Sequence, residues 1–287
     1  MCMAMDILKL LKKLSVKNNY GEANMKDLTE PFDPINIFGN LYFVGTRPAS
    51  VHIIDTGDGL IMLDTGYQQS LYIVIDNIYS MGLNPHDIRY ILLTHGHIDH
   101  FGAAKALKEL SGAQIALGSA DADYATGKLD LSCAKELGMG FNETFEPDIL
   151  LSDGDEIKLG NTTVRAVATP GHTPGAMSYI FNISGDFESY TAGLHGGMGM
   201  NTLCKEFLDK YDLPYTLRDD YVNSMHRLNE EKIDVFLGNH MQHNKTEEKA
   251  ARLKSGDKYA FVNPEEWCQH NLMCIQKLEN LINMENQ

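Results

Sequence analysis

A short segment of this chain concentrates side chains that can bind a metal. It carries the three imidazoles of His95, His97 and His100 and the carboxylate of Asp99 within six residues. Imidazole and carboxylate are the ligands that suit zinc and related divalent ions. The flanking sequence is apolar and not of low complexity, which argues against a solvated His-rich loop. The segment therefore predicts a metal site.

The spacing within this segment fits two neighbouring metals. A strand-like run at residues 88–94 comes directly before it. Because alternate residues of an extended chain project the same way, His95 and His97 can face one metal. Asp99 and His100 lie where a helix-like pattern begins and would point to a second position nearby. A catalytic zinc keeps three protein ligands and one open position, so two metals need ligands from elsewhere in the chain.

Two later histidines are candidates for those ligands. His172 lies in the Gly/Pro turn of residues 169–175, directly after an apolar run at 164–168. His240 follows a second apolar run at residues 235–237. Strand ends that each present an imidazole are what a metal site at the rim of a sheet requires. We therefore expect His172 and His240 to join the first segment.

These motifs, in this order, resemble those of the metallo-β-lactamase superfamily. The matching features are Leu-Asp-Thr-Gly at 63–66, His-x-His-x-Asp-His at 95–100, Pro-Gly-His-Thr-Pro-Gly at 170–175 and Gly-Asn-His at 238–240. The resemblance extends from about Ile35 to Gln287. It implies an α/β fold, the four-layer αββα sandwich. It also implies a first metal held by His95, His97 and His172, and a second held by Asp99, His100 and His240.

One difference from the motifs of the wider superfamily indicates which of its subgroups this chain resembles. Many relatives, including glyoxalase II-like and acyl-homoserine-lactonase-like enzymes, have a metal-bridging Asp between the last two His ligands. The corresponding stretch here, residues 190–197, has no Asp at that place. The set of Asp, His and His without a bridging Asp resembles the third metallo-β-lactamase subclass. Members of that subclass usually carry a serine-rich stretch that helps hold a β-lactam, and this chain has Gly193-Leu194-His195 there.

The resemblance implies a dinuclear zinc-dependent hydrolase that uses a metal-bound hydroxide to open an amide or ester bond, with β-lactams among the candidate substrates. We expect two Zn²⁺ ions rather than iron or manganese. Asp99 is the candidate catalytic residue, since it binds metal and can orient the hydroxide. Asp64 is expected to fix a ligand imidazole from behind. His195 either lines the pocket and contacts the substrate or is an ordinary packed residue.

Other functions stay open on the same motifs. A lactonase, a thioesterase or a phosphoesterase of the superfamily would use the same metals. An iron-binding oxidoreductase relative is a different class, but its di-iron form usually has a carboxylate at the position of His97. A non-catalytic binding protein would be expected to lose ligands, and all six are present here.

The composition of the chain limits the classes of molecule that it is expected to bind. The chain has 287 residues and a net charge of −15, which argues against a nucleic-acid backbone as substrate. No apolar run approaches the length of a membrane span, so we expect no stable membrane insertion. The five cysteines form no Cys-x-x-Cys pair and are predicted to be free thiols. A small-molecule substrate is the expectation, and homo-oligomerisation stays open.

The chain divides into an N-terminal extension at residues 1–33 and a hydrolase-like domain at residues 34–287. The extension contains an amphipathic pattern at 7–14 that predicts a helix interrupted by lysines. It does not match a signal peptide, so we expect a cytoplasmic protein. Residues 129–149 lack periodicity and predict a loop over the site.

The remaining patterns predict strands and helices that alternate along the domain. Strand-like runs lie at 41–44, 51–54, 60–63, 90–93, 114–117, 157–159, 163–168, 177–181 and 235–237. Helix-like patterns lie at 69–81, 102–110, 120–127, 217–228, 246–254 and 264–284.

Overall fold

The computed structural model describes residues 28–185 and 187–286. The predicted amphipathic helix at 7–14 lies outside these residues. The strands are β1 (Ile35–Phe38), β2 (Leu41–Phe43), β3 (His52–Asp55), β4 (Leu60–Leu63), β5 (Ile88–Leu92), β6 (Gln114–Gly118), β7 (Ile149–Leu151), β8 (Glu156–Leu159), β9 (Thr162–Ala168), β10 (Met177–Ser184), β11 (Ser189–Leu194) and β12 (Val235–Leu237). The α-helices are α1 (Leu71–Ser80), α2 (Ile98–Phe101), α3 (Ala104–Ser111), α4 (Ala122–Ala125), α5 (Lys205–Lys210), α6 (Thr216–Leu228), α7 (Thr246–Lys254) and α8 (Glu266–Glu285).

The strands form two sheets. The first has the order β1-β2-β3-β4-β5-β6-β7 and changes from antiparallel to parallel pairing at β4/β5. The second has the order β12-β11-β10-β9-β8 and is parallel only between β11 and β12. The turn at residues 57–59, with glycine at both ends, joins the antiparallel strands β3 and β4.

Each sheet is covered on both faces. All four residues of β4 are buried: Ile61 and Leu63 face the second sheet, whereas Leu60 and Met62 pack towards α1 and α3. Phe236 of β12 packs among residues of α6 and α8. Burial of such side chains contributes roughly 1.5–3 kcal/mol each. The layers are therefore helix, sheet, sheet and helix, which confirms the predicted αββα sandwich.

The predicted elements match the observed ones best where the apolar pattern is long. The pattern at 246–254 coincides with α7, and the patterns for α1, α3, α6 and α8 are displaced by one or two residues at their ends. The predicted helix at 120–127 was wrong in length, because only Ala122–Ala125 is α-helical. Strands β1, β7 and β11 were not predicted, since they are short or are rich in polar residues and Gly.

The candidate site residues lie together at one edge of the sandwich. Asp64 follows β4, His95 follows β5, His172 follows β9, His195 follows β11 and His240 follows β12. Loops beyond the carboxyl ends of strands are the usual place for sites in such sheets. The fold thus brings residues that are far apart along the chain to one edge of the sandwich.

Two hydrogen bonds join the sheets at this edge. The Tyr179 hydroxyl donates to the Leu93 carbonyl at 2.6 Å, and the Met177 amide donates to the Thr94 carbonyl at 2.8 Å. Both acceptors immediately precede the His95–His100 segment. The backbone that presents the first ligands is therefore held by both sheets. No helix among residues 28–185 and 187–286 is long and apolar enough to cross a membrane.

Candidate metal centre

Three histidines form a compact first cluster. Each pair of rings among His95, His97 and His172 has its centroids 4.6 Å apart and meets at 85° to 88°. One ligand atom from each ring lies within 4.8 Å of the other two. All three side chains are buried. Nearly perpendicular rings converging on one point are the arrangement that a tetrahedral ion with one open position requires.

Backbone carbonyls fix the tautomers of two of these rings. The Nδ1 of His95 lies 2.8 Å from the Gly196 carbonyl, and the Nδ1 of His172 lies 2.8 Å from the Gly199 carbonyl. Because a carbonyl can only accept, each Nδ1 carries the proton and each Nε2 keeps its lone pair. The short segment 196–199, which follows β11, therefore orients ligands from two different loops.

The free lone pair of His95 supports a metal at this cluster. Its Nε2 is buried and has no hydrogen-bond partner among the described residues. Burial lowers the pKa of His95 and His97 well below the ordinary value and lowers that of His172 to about 4. All three imidazoles are therefore neutral at pH 7. Neutral imidazoles with converging lone pairs fit a divalent ion.

Glycine is required between the first two ligands. A Cβ at Gly96 would lie 2.7 Å from the Tyr124 ring, closer than a carbon contact allows. The amide of Gly96 instead donates to Asp121 at 2.8 Å. Because Gly96 has no side chain, the His95–His100 segment packs directly against α4. This packing determines the direction of the His97 side chain.

Asp99, His100 and His240 form the second cluster. Their ligand atoms also lie within 4.8 Å of one another. The Oδ2 of Asp99 is 3.3 Å from the Nε2 of both His100 and His240. Asp99 and His240 are partly exposed, whereas His100 is buried. This cluster therefore lies at the mouth of the site, and the first cluster lies deeper.

Asp64 contacts the buried ring of the second cluster. Its Oδ2 accepts from the Nδ1 of His100 at 2.8 Å, and its Oδ1 accepts from the Thr94 amide at 2.7 Å. The residue is itself buried and has a φ of 56°, a left-handed conformation that is uncommon outside Gly. A strained backbone conformation of this kind persists where the surrounding contacts hold the residue in place. A carboxylate behind a ligand imidazole fixes its tautomer and raises its basicity.

The two clusters differ in charge. Burial opposes charge on His100, yet the neighbouring carboxylates of Asp99 and Asp64 raise its pKa to about 10. The pKa of Asp99 is held well below its usual value, because the nearby imidazoles outweigh the effect of burial. In the second cluster a cationic His100 thus lies between the carboxylates of Asp99 and Asp64, and a divalent cation could take the place of its proton. The pKa of His240 is lowered, chiefly by burial.

Asp121 connects the two loops that carry the first cluster, and sequence reasoning did not identify it. Its carboxylate accepts from the Gly96 amide at 2.8 Å, the Thr173 hydroxyl at 2.6 Å and the Gly175 amide at 2.7 Å. The side chain is fully buried, and burial raises its pKa to about 6. No local pattern indicates this role of Asp121, because its three donors lie in loops distant from it along the chain.

His195 does not line the pocket. Its ring lies between the second sheet and the helices, 5.8 Å from the Trp267 ring by centroids, and is fully buried. Its Nδ1 accepts from the Gly197 amide at 3.1 Å, and its Nε2 lies 3.2 Å from the Met225 sulfur. Of the two readings of this residue, the structure supports the packed one. His195 holds segment 196–199, which in turn orients His95 and His172.

Comparison with known proteins gives the family. The family model described as the metallo-beta-lactamase superfamily matches residues 44–185. The crystal structure of BJP-1, a subclass B3 metallo-beta-lactamase of Bradyrhizobium japonicum, is 30% identical with a TM-score of 0.83. That match covers 91% of this chain and 98% of the other. The chain belongs to the metallo-beta-lactamase superfamily.

A second solved structure agrees with this assignment. Native FEZ-1 metallo-beta-lactamase from Legionella gormanii is 25% identical, with a TM-score of 0.82 over 90% of this chain and 98% of that one. The BJP-1 match confirms the predicted likeness to the third subclass. The two structural matches cover 91% and 90% of this chain, so its superfamily fold extends well beyond residues 44–185.

Curated relatives match over shorter stretches. A probable metallo-hydrolase of Burkholderia pseudomallei is 40% identical over 100 residues, 32% of this chain and 31% of the relative. The hydroxyacylglutathione hydrolase GloC of Haemophilus influenzae is 34% identical over 108 residues, 37% of this chain and 49% of the relative. The matches thus span less than half of either relative. Both are hydrolases by name, the class that the sequence predicted for this chain.

Proposed function

We propose that this chain is a dinuclear zinc-dependent hydrolase that opens an amide or ester bond, with β-lactams among its candidate substrates. One observation carries the proposal: both ligand clusters are complete and adjacent, with the rings of His95 and His100 only 4.2 Å apart by centroids. All six proposed ligands thus come together from three segments of the chain. The BJP-1 likeness over nearly the whole domain supports the reaction class.

The proposed ligands are His95, His97 and His172 for the first ion and Asp99, His100 and His240 for the second. When bound, two such ions would lower the pKa of coordinated water towards about 7 and polarise the scissile carbonyl. Imidazole ligands suit zinc, and the scarcity of carboxylates in the first cluster disfavours manganese. Iron binds imidazole too, so metal analysis of the purified protein separates the zinc hydrolase from an iron oxidoreductase.

The chain's own residues would serve the reaction by position and charge. Asp99 stays ionised and lies at the mouth of the site, where its carboxylate can accept a hydrogen bond from the attacking water and orient it. The neutral imidazoles of the first cluster leave their lone pairs free to bind metal. Asp64 and the carbonyls of Gly196 and Gly199 hold the rings in place, so little reorganisation is needed.

Turnover of a chromogenic β-lactam, an activated ester, a lactone and a thioester tests the proposal. Each substrate is offered to the zinc-loaded protein, to the chelator-treated protein and to the latter after zinc is restored. We expect chelator-sensitive, zinc-restored hydrolysis of at least one of them. A protein that binds two zinc ions and hydrolyses none would contradict the proposal.

Thioester hydrolysis is the second candidate. The likeness to a hydroxyacylglutathione hydrolase favours it. A further observation weakens the β-lactam reading: residues 193–195 replace the serine-rich stretch of the third subclass, and Leu194 and His195 are buried away from the pocket. A thioester turned over faster than the β-lactam would select this candidate. The net charge of −15 favours small molecules over nucleic acids in either case.

A further inference from the structure

The loop that connects β2 to β3, residues 44–51, contacts a proposed ligand of the second cluster. The Nδ1 of His240 lies 2.8 Å from the carbonyl oxygen of Pro48. Because a carbonyl can only accept, Nδ1 carries the proton, and the Nε2 that lies 3.3 Å from Asp99 keeps its lone pair. We call residues 44–51 the β2–β3 loop. It orients His240 in the way that segment 196–199 orients two ligands of the first cluster.

The base of the β2–β3 loop is held by its own backbone and by α1. The Val44 amide donates to the Val51 carbonyl at 2.9 Å, and the Thr46 amide donates to the Ala49 carbonyl at 3.0 Å. The Asn77 side chain of α1 donates to the Val44 carbonyl at 3.1 Å. The two residues between Thr46 and Ala49 therefore form the tip of the loop.

The side chain of Arg47 holds this tip against other parts of the chain. Its guanidinium donates two hydrogen bonds of 2.8 Å to the carboxylate of Glu247, in the first turn of α7. It also lies 3.3 Å from the Glu30 carboxylate and 5.2 Å from the centre of the Phe32 ring. A bidentate guanidinium–carboxylate pair fixes direction as well as distance. Arg47 thus fixes the residue that comes directly before Pro48.

The segment that carries His240 also begins α7. The Thr246 amide donates to the Met241 carbonyl at 2.9 Å, which ties the start of the helix to the residue after His240. The Ser50 amide donates to the Asn239 carbonyl at 3.2 Å. Along the β2–β3 loop, contacts with this segment therefore lie on both sides of the hydrogen bond between Pro48 and His240.

We propose that Arg47 is a positioning residue for the second metal site: it holds the Pro48 carbonyl at His240 and so directs the Nε2 of that ring into the second cluster. The inference rests on the proposed dinuclear function and deepens it. Arg47 acts through Pro48 and is not itself a ligand. Each ring whose tautomer a carbonyl fixes needs that carbonyl in place, and here one exposed ion pair keeps it there.

The exposure of the Arg47–Glu247 pair separates positioning from stability. The Arg47 side chain is 35% exposed and that of Glu247 is 62% exposed. Exposed ion pairs contribute little to the free energy of unfolding, because water and salt screen them. Loss of the pair should therefore leave the fold intact and change the binding of the second ion.

Competition with a chromogenic chelator measures the dissociation constants of the two zinc ions. Because loss of a direct partner of a ligand imidazole costs about 10–100-fold and Arg47 acts one residue further away, we expect Arg47→Met to raise the second constant about fivefold. The first constant and the chemical denaturation midpoint of the metal-free protein should not change. Arg252→Met is the matched control, since it removes an exposed guanidinium that pairs with Asp257 at the other end of α7. Equal zinc constants in the two variants would overturn the proposal.

A double-mutant cycle tests whether the effect passes through the ion pair. Glu247→Gln should also raise the second dissociation constant, and the double variant Arg47→Met/Glu247→Gln should bind zinc no more weakly than Arg47→Met alone. Arg47→Lys keeps the charge but loses the planar fork, so it should restore part of the affinity. Effects of Arg47→Met and Glu247→Gln that simply add would overturn the role of the pair.

The nuclear magnetic resonance signal of the His240 ring gives a readout that a purely structural role would not change. In zinc-saturated protein labelled with ¹⁵N-histidine, the Nδ1 proton held by Pro48 should exchange slowly with water. His240→Gln identifies the signal by removing it. We expect exchange of this proton to accelerate in Arg47→Met and to stay slow in Arg252→Met. Unchanged exchange in Arg47→Met would overturn the proposal.

The two proposals fail in distinguishable ways. If the wild-type protein binds fewer than two zinc ions, the dinuclear proposal fails, and the inference about Arg47 fails with it. If the wild-type protein binds two zinc ions and Arg47→Met matches it in both zinc constants and in the His240 signal, only the inference about Arg47 fails.

Discussion

The two clusters that we propose as metal sites differ in burial and in charge. The first consists of buried neutral imidazoles, oriented by backbone carbonyls and by a loop that Asp121 fastens. The second contains the Asp99 carboxylate, a partly exposed His240 and a buried His100 backed by Asp64. The three imidazoles of the first cluster are therefore already oriented without metal. The arrangement of the second cluster depends instead on the balance of charge among its side chains. We expect the first to bind metal more tightly and the second to respond more to pH.

The largest effect is expected from removal of a ligand in either cluster. His97→Ala and Asp99→Ala should each abolish turnover, because two ions are needed on one substrate. The variants should differ in the metal retained after dialysis: loss of His97 weakens the deeper ion, and loss of Asp99 weakens the outer one. Metal content and initial rates measure both effects.

His226→Ala is the control for these variants, since it removes an exposed imidazole from α6. Full activity in both His97→Ala and Asp99→Ala would contradict the assignment of the clusters. Circular dichroism checks that the fold is retained.

Asp64→Asn should affect the second cluster alone. The amide keeps the shape and tolerates the left-handed backbone, but it no longer offers a charged acceptor to His100. Loss of such a partner weakens metal affinity by about 10–100-fold. Zinc titration measures the change, and Asp55→Asn, which alters a turn distant from the ligands, is the control. If Asp64→Asn weakened zinc binding at the first cluster and left zinc binding at the second unchanged, the assignment of Asp64 to the second cluster would be wrong.

Asp121→Ala should loosen the first cluster and destabilise the fold. Three donors lose their acceptor, and buried donors without a partner cost about 1–3 kcal/mol each. We expect the free energy of unfolding of the metal-free protein to fall by about 3 kcal/mol or more. Chemical denaturation measures it. Asp123→Ala, two residues along and without these contacts, should change stability little, and a similar loss there would refute the assigned role.

The clusters should give opposite pH dependences in the metal-free protein. The pKa of His172 is about 4, below the ordinary 6.5, so its contribution is present above pH 6.5 and is lost as the pH falls towards 4. The pKa of His100 is about 10, so its contribution is present below pH 6.5 and is lost as the pH rises through 10.

Because the His172 imidazole takes up a proton in the unfolded chain but not in the folded one, the free energy of unfolding should be about 2 kcal/mol lower at pH 5 than at pH 7. Thermal unfolding at pH 5 and pH 7 measures this loss, and His172→Asn should reduce it. A loss at pH 5 that is the same in His172→Asn would contradict the neutral first cluster.

The residues that meet in the two clusters could be predicted from the sequence because their types are rare and their spacing is informative. His95, His97, Asp99 and His100 occupy one loop, and His172 and His240 each end a recognisable strand. Asp64 follows a buried strand in the same manner. These positions depend on local patterns, so the αββα fold and both clusters follow from them together with the family resemblance.

Residues that act across the fold could not be predicted in this way. The role of His195 depends on β11, a strand whose polar and Gly-rich sequence gives no alternating pattern. Asp121 acts through donors on loops that lie 25 to 54 residues away. Lys210 donates a hydrogen bond to Glu136 across 74 residues. Such contacts appear only when both sheets are assembled.

Zinc titration of the metal-free protein at neutral pH tests the central claim most directly, with bound metal and hydrolytic rate followed together. The account predicts two ions per chain, a tighter one lost in His97→Ala and a weaker one lost in Asp99→Ala, with turnover only when both are bound. A single ion per chain, or full turnover with the second cluster empty, would contradict it.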